Sequence, residues 1–370
     1  MSHQANLQSK DLWGQRVDQL GLCLERSPIW PLIEQLYAEL AGAGIDLRPR
    51  CFIASEWGCP DGLPIVGIPF FLVDSRFYEY EEEHADDLED ASRILMGLRH
   101  EAGHALNYAY LLHKEPEWTA VFGDFAGDYR DDYLPVPFCP DFVRHLPGWY
   151  AQKHPDEDFA ETFAVWLTPG SNWRERYAGT GALRKLEYVD RMMAQIGKLP
   201  PIVDPASIEP DESEIQVTLS DFYRQRTDED SPPVEDLAGS LDQDFRELFS
   251  AEKLGIDAAT LVWDRRQAIM RAVASYTGAR LFVVKSLLVF IARRLQQLGL
   301  RSAPGREAEA IIGLTALASM LVANYLRIGN FGTQSQRKPG NRSGSGPERS
   351  TGEAGSWRLL RGPVLGHDFD

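Results

Sequence analysis

Hydrophobic positions in the first half of the chain recur at two different periods. Between Pro28 and Ala43, Ile29, Trp30, Ile33, Leu36, Tyr37 and Leu40 return every three or four residues, ahead of Gly42 and Gly44. That spacing predicts an amphipathic helix with a glycine stop. Arg48 to Ser55 and Ile65 to Val73 are short, aromatic and β-branched, and the turn-rich stretch Trp57 to Gly62 separates them. They predict two strands, the second an edge strand because Pro69 cannot donate to a ladder. Such an edge could align a substrate backbone by strand addition. Leu88, Ala91, Ile94, Leu95 and Leu98 then form an apolar stripe. They predict a second helix, capped by Asp86 or Asp87, with Glu89 or Asp90 in the capping-box position. The approach, Tyr78 to Asp90, reads as an acidic solvated face. His113 to Cys139 has no periodicity and is dense in aromatic, acidic and proline residues, so it reads as a cleft wall or a surface loop. Phe159, Phe163 and Trp166 give the apolar face of a further helix opened by Pro155. Helices are also expected around Trp173 to Tyr177 and Ala182 to Ile196.

Prolines between Leu199 and Pro205 break the pattern and predict a domain boundary. Beyond it, Thr218 to Arg226, Val234 to Phe249, Ala258 to Thr277, Ala279 to Leu298 and Glu307 to Ile328 all carry helical periodicity. The expected organisation is a polar lead-in over 1–27, an α+β domain over 28–203, an all-α helical domain over 204–330 and a disordered basic tail over 331–370. The helical domain shows no catalytic pattern. It would dimerise, bind a protein partner or simply support the rest.

Composition narrows the function classes. The chain has 370 residues, 44% hydrophobic, with a formal charge of −17. That charge argues against nucleic acid or an anionic membrane as the main partner. Cys23, Cys51, Cys59 and Cys139 are scattered, without a C-x-x-C, and read as reduced cytoplasmic thiols. Met1 to Leu20 has no apolar segment of the signal-peptide kind. The longest uncharged apolar run, Ala310 to Leu326, reads as a buried helix and not as a membrane anchor.

Chemistry enters with His100-Glu101-Ala102-Gly103-His104, an H-E-x-x-H pattern. On a helix the two histidines share a face one turn apart, off the Leu88–Leu98 stripe, and can grip one zinc ion. Glu101 then stands beside the metal as general base for a zinc-activated water. Two buried histidines without a metal would each need another partner. A third ligand is required, and Glu157 and Glu161 share a face of the helix opened by Pro155. Glu157 is taken as the ligand, with Glu161 fixing the tautomer of a ligand histidine; the reverse assignment stays open. Asp156 and Asp158 suit a solvated helix N-terminus. Tyr150 could steady an oxyanion, and His154 competes for that role or for proton shuttling; either could instead pack or cap a helix. His84, His113 and His145 have no spacing that links them to the pattern.

Leu98 to His104, followed by Tyr150 to Ala164 with Glu157 and Glu161, resembles a family of bacterial zinc-binding metallopeptidases among the gluzincins, which use two His and one Glu. Trp57 to Leu72 looks similar to that family too, and the tyrosine seven residues before the glutamate is similar to the catalytic domain of anthrax lethal factor. The resemblance covers roughly residues 30–200. It implies a zincin-like fold, Zn2+ at His100, His104 and Glu157, Glu101 as base, Tyr150 as electrophilic helper, and a peptide or protein substrate. The expected activity is zinc-dependent peptide hydrolysis. The rivals are a catalytically silent zinc-bound regulatory module and a zinc hydrolase of a non-peptide amide.

Overall fold

The computed structural model describes residues 10–84, 90–129, 133, 135–230, 234–237, 239–251, 254–279 and 281–331. Asp86, Asp87, Glu89 and the expected tail from 332 onward lie outside these. The chain forms two compact units that divide after Arg226.

In the first unit, α1 (Trp30–Gly42) buries Ile33, Leu36 and Leu40, the stripe its spacing predicted. Next come β1 (Arg50–Ala54) and β2 (Ile65–Pro69), paired in parallel from Arg50 opposite Ile65 to Ala54 opposite Pro69. Their sheet has these two strands among the described residues. β2 is an edge strand of that pair, as Pro69 predicted, but it is buried along its whole length. Its Gly67 N–H donates to Gly58 O at 2.7 Å. A Cβ at Gly67 would sit 3.0 Å from the Ala54 Cβ and 3.2 Å from that carbonyl, so the Trp57–Gly62 turn closes on the strand because position 67 has no side chain.

After α2 (Ser75–His84), where a solvated acidic face was expected and Glu81 is instead buried, comes α3 (Ala91–Ala109). Its cap is Asp90, whose side chain accepts from Arg93 N at 3.1 Å. Asp90 stands directly before the first helical residue, so its carboxylate meets a free N–H of the first turn. Arg99 ties α3 to α1 through a two-pronged contact with Glu39, Nε and Nη2 each at 2.7 Å. Forked pairs of this kind fix orientation as well as adding energy.

The aperiodic stretch contains a helix, α4 (Pro116–Phe122), too short for its period to show. Its Trp118 and Phe122 rings pack on Phe159 of α5 (Pro155–Leu167), at 6.2 and 5.3 Å between centroids. Phe122 also meets Tyr188 of α6 (Gly181–Ile196), which Thr180 caps.

Residues on either side of the expected domain join this unit. Val17 N–H donates to Val217 O at 3.0 Å. Leu12, Val17, Ile215 and Leu219 share one buried cluster with Phe70 and Phe77. The division therefore comes after Arg226 and not at 203: the lead-in and residues 205–226 cover an aromatic face that would otherwise meet water.

The second unit packs α7 (Ala258–Asp264), α8 (Arg266–Thr277), α9 (Leu281–Leu298) and α10 (Glu307–Ile328) around one apolar cluster. Its described residues also hold a two-residue antiparallel ladder, β3 (Ile256–Asp257) with β4 (Arg301–Ser302). α10 is long and apolar enough to cross a membrane, and only 22% of its apolar window is buried. Ala310, Leu314, Ala318, Leu321 and Val322 face the cluster, while Ile312 and Met320 are exposed. The buried helix that its composition predicted is thus buried on one face.

Candidate metal centre

Two helices make the centre. α3 carries His100, Glu101 and His104; α5 carries Asp156, Glu157 and Glu161. They touch at Gly103, where an added Cβ would fall 2.8 Å from the Ala160 Cα. Only a bare backbone on α3 lets α5 come this close. That approach brings Glu157 to the histidine pair.

Ligand atoms of His100, His104 and Glu157 lie within 4.8 Å of one another. The two Nε2 atoms stand 3.1 Å apart, and Glu157 Oε2 lies 3.1 Å from one and 3.2 Å from the other. All three residues are buried. Each imidazole has a carboxylate behind it. His100 Nδ1 is 3.0 Å from Glu161 Oε1, and Glu161 Oε2 accepts from the backbone N–H of Leu146 at 2.9 Å. His104 Nδ1 is 3.0 Å from Asp156 Oδ2, an ionic contact off the line of a directed hydrogen bond. Asp156 in turn accepts from Asn107 Nδ2 at 2.8 Å and the Tyr108 hydroxyl at 2.5 Å.

Carboxylates behind both Nδ1 atoms favour N–H there and leave both Nε2 lone pairs facing inward. In the neutral Nδ1–H form two imidazole lone pairs and a carboxylate oxygen converge, where either a proton or a cation can sit. That donor set fits zinc, which takes nitrogen and oxygen ligands and leaves one position open in its catalytic sites. The electrostatics agree. Burial opposes charge on His100, yet the hydrogen bonds of Glu157 and Glu161 outweigh it and raise its pKa to about 9. Burial likewise opposes charge on His104, and Asp156 and Glu157 carry it well above its ordinary range. The same two histidines hold Glu157 well below the usual carboxylate range against its own burial. The pocket draws positive charge.

Glu101 is buried, which raises its pKa, and its Oε2 has no hydrogen-bond partner among the described residues. Tyr150 follows Trp149, whose φ of 60° is left-handed and uncommon for a bulky residue. Phe138 and the Arg144 guanidinium pack on the Trp149 ring at 4.7 and 4.6 Å and hold that turn. Tyr150 OH then reaches Glu157 Oε1 at 3.3 Å. His154 is placed differently. Its Nδ1 accepts from Asp156 N at 3.2 Å as the cap of α5, and its Nε2 lies 3.2 Å from Gly127 O. Both ring nitrogens thus meet backbone, and His154 caps α5. His145 Nε2 lies 3.0 Å from Met96 O and its backbone N–H donates to Glu161 Oε2 at 3.3 Å, while His113 stacks on Phe125 at 4.3 Å; neither contributes to the converging ligand atoms.

Three features escaped the sequence reading. Asp156 and Asp158, expected to be solvated, are buried. Asp156 backs His104, and Asp158 lies 2.6 Å from Lys185 Nζ of α6. The third is Tyr129, from the aperiodic stretch, whose hydroxyl donates to Glu157 Oε1 at 2.5 Å. An Asp–Glu–Asp run at a helix start looks like dipole chemistry, and nothing in the sequence marks one tyrosine of an aromatic loop.

Residues 78–175 match a family model described as "Putative zinc-binding metallo-peptidase". The matched stretch is under half of the chain, yet it contains every side chain of the centre. No curated protein and no solved structure matches. The match supports a zinc-binding metallopeptidase centre on α3 and α5, and it does not reach the second unit.

Proposed function

We propose that this chain is a zinc-dependent peptidase of the gluzincin type, with His100, His104 and Glu157 as ligands. The observation that carries the reading is the convergence of those three buried donors, together with Glu101, which shares α3 with the two histidines, is buried, and has an Oε2 without a hydrogen-bond partner among the described residues. When bound there, zinc supplies Lewis-acid polarisation of water and of a substrate carbonyl. Glu101 takes a proton from the attacking water and delivers it to the leaving amine. Its burial keeps the carboxylate more basic than usual, which suits that exchange. Tyr150 donates its O–H to the oxyanion that develops on the former carbonyl. Glu161 and Asp156 hold the two imidazoles in the Nδ1–H form.

A second reading has one observation in its favour. The groups of the centre on α3 and α5 are buried, as in a closed structural site. A silent zinc-bound regulatory module would look so, but it has no use for Glu101. Removal of metal by a chelator, followed by zinc repletion, separates the two. The peptidase loses turnover of a peptide library and regains it with zinc; a silent module shows none in either state.

A further inference from the structure

Glu157 has two carboxylate oxygens, and the site treats them differently. Oε2 faces both histidines, at 3.1 and 3.2 Å. Oε1 turns away and meets two phenols. Tyr129 OH donates to it at 2.5 Å, whereas Tyr150 OH stands at 3.3 Å. The hydroxyls are 3.3 Å from each other. The first distance is that of a strong charge-assisted hydrogen bond; the second is long for an O–H donor.

We infer that Tyr129 is a positioning residue for the zinc centre: its hydroxyl occupies Glu157 Oε1 and holds that carboxylate to one ligand oxygen. The inference rests on the zinc reading above. A carboxylate can bind a metal through one oxygen or two, and a strong donor on the second oxygen selects the first mode. One-oxygen ligation leaves zinc four-coordinate with its open position intact. Two-oxygen ligation would fill space that water and substrate need.

Tyr129 is well braced for this task. The Lys153 ammonium sits 4.2 Å over its ring, and the His154 ring packs 5.4 Å away. Two residues earlier, Gly127 O is 3.2 Å from His154 Nε2. His154 therefore fixes the start of α5 and the segment that carries Tyr129 together. Tyr150 follows the left-handed Trp149, and its longer contact costs little to exchange for an oxyanion.

The test compares Tyr129→Phe and Tyr150→Phe in the full chain. Phenylalanine keeps the ring and its packing and removes only the hydroxyl. Zinc affinity is read by competition with a chromophoric chelator, and coordination by the visible spectrum of the cobalt(II) form. Tyr129→Phe is expected to weaken zinc about 10- to 100-fold, the range for loss of a partner to a ligand. It should also dim the intense four-coordinate cobalt bands. Tyr150→Phe should leave affinity and spectrum alone while lowering kcat. Wild-type affinity and spectrum in Tyr129→Phe overturn the inference, as does an equal loss of affinity in Tyr150→Phe. If Tyr129→Phe does not fold, the wild-type cobalt spectrum decides, because weak bands of higher coordination also overturn it. Wild type that binds no zinc defeats the underlying reading instead.

Discussion

Gly103→Ala tests the geometry of the centre without touching any group that would hold metal. The new Cβ would stand 2.8 Å from the Ala160 Cα and 3.0 Å from the Ala160 carbonyl oxygen, where ordinary contact begins at 3.4 Å. Both obstacles are backbone, so no side chain can swing aside. α3 and α5 must part by about 0.6 Å to restore normal contact. Gly103 directly precedes His104, and Ala160 directly precedes Glu161. The displacement therefore falls on the gap between the histidines and Glu157. Metal–ligand distances tolerate only about 0.2 Å. Overpacking costs about 1–3 kcal/mol, and alanine returns about 1 kcal/mol of helix propensity. The fold should survive with up to about 2 kcal/mol less stability, while zinc affinity falls about 10- to 100-fold. Chelator competition reads the affinity, and thermal unfolding of the zinc-free protein reads the stability. Wild-type affinity together with a raised Tm would refute the claim that this contact sets the ligand geometry.

Other predictions follow from the groups behind the ligands. Asp156→Asn removes the charge behind His104 and should weaken zinc about 10- to 100-fold. Chelator competition checks it, and unchanged affinity would contradict the role given to Asp156. Asp158 gives a pH signature. Burial raises its carboxyl to about 7 despite Lys185, whose Nζ lies 2.6 Å away. Because the folded pKa lies above the unfolded value of 3.8, its stabilising contribution is complete below about pH 4 and is lost as the pH rises through about 7. Urea midpoints of zinc-free wild type, compared with those of Asp158→Asn, should therefore fall relative to the variant across that window. A constant difference would mean that Asp158 titrates alike in both states.

The sequence made the centre legible to the extent that its chemistry is local. His100 and His104 are one helical turn apart, as are Glu157 and Glu161, so periodicity alone put each pair on a shared face, with Glu101 next to His100. What brings the two turns together is a glycine opposite an alanine, and no local pattern marks Gly103 as different from Gly97. Tyr129 shows the same limit, since its contact depends on where a stretch without period crosses Glu157. Asp156 was misread because a carboxylate after Pro155 has a sufficient local explanation in the helix dipole, while its partners Asn107 and Tyr108 belong to another helix. β2 shows a related limit: Pro69 marked it as an edge strand, but nothing local marked Gly58, whose carbonyl accepts from Gly67 on that edge. The domain boundary moved because Pro205 breaks a helix without ending the packing, and Ile215 and Leu219 return to the aromatic face of the first unit.

The most direct test measures zinc content and peptide-library turnover together for wild type and Glu101→Gln. The substitution removes the proposed base and spares every proposed ligand. One zinc per chain in both proteins, with turnover in wild type alone, is the predicted result. Zinc in both without turnover in either would contradict the peptidase and favour the silent module. Neither protein holding zinc after exposure to excess metal would contradict the centre itself.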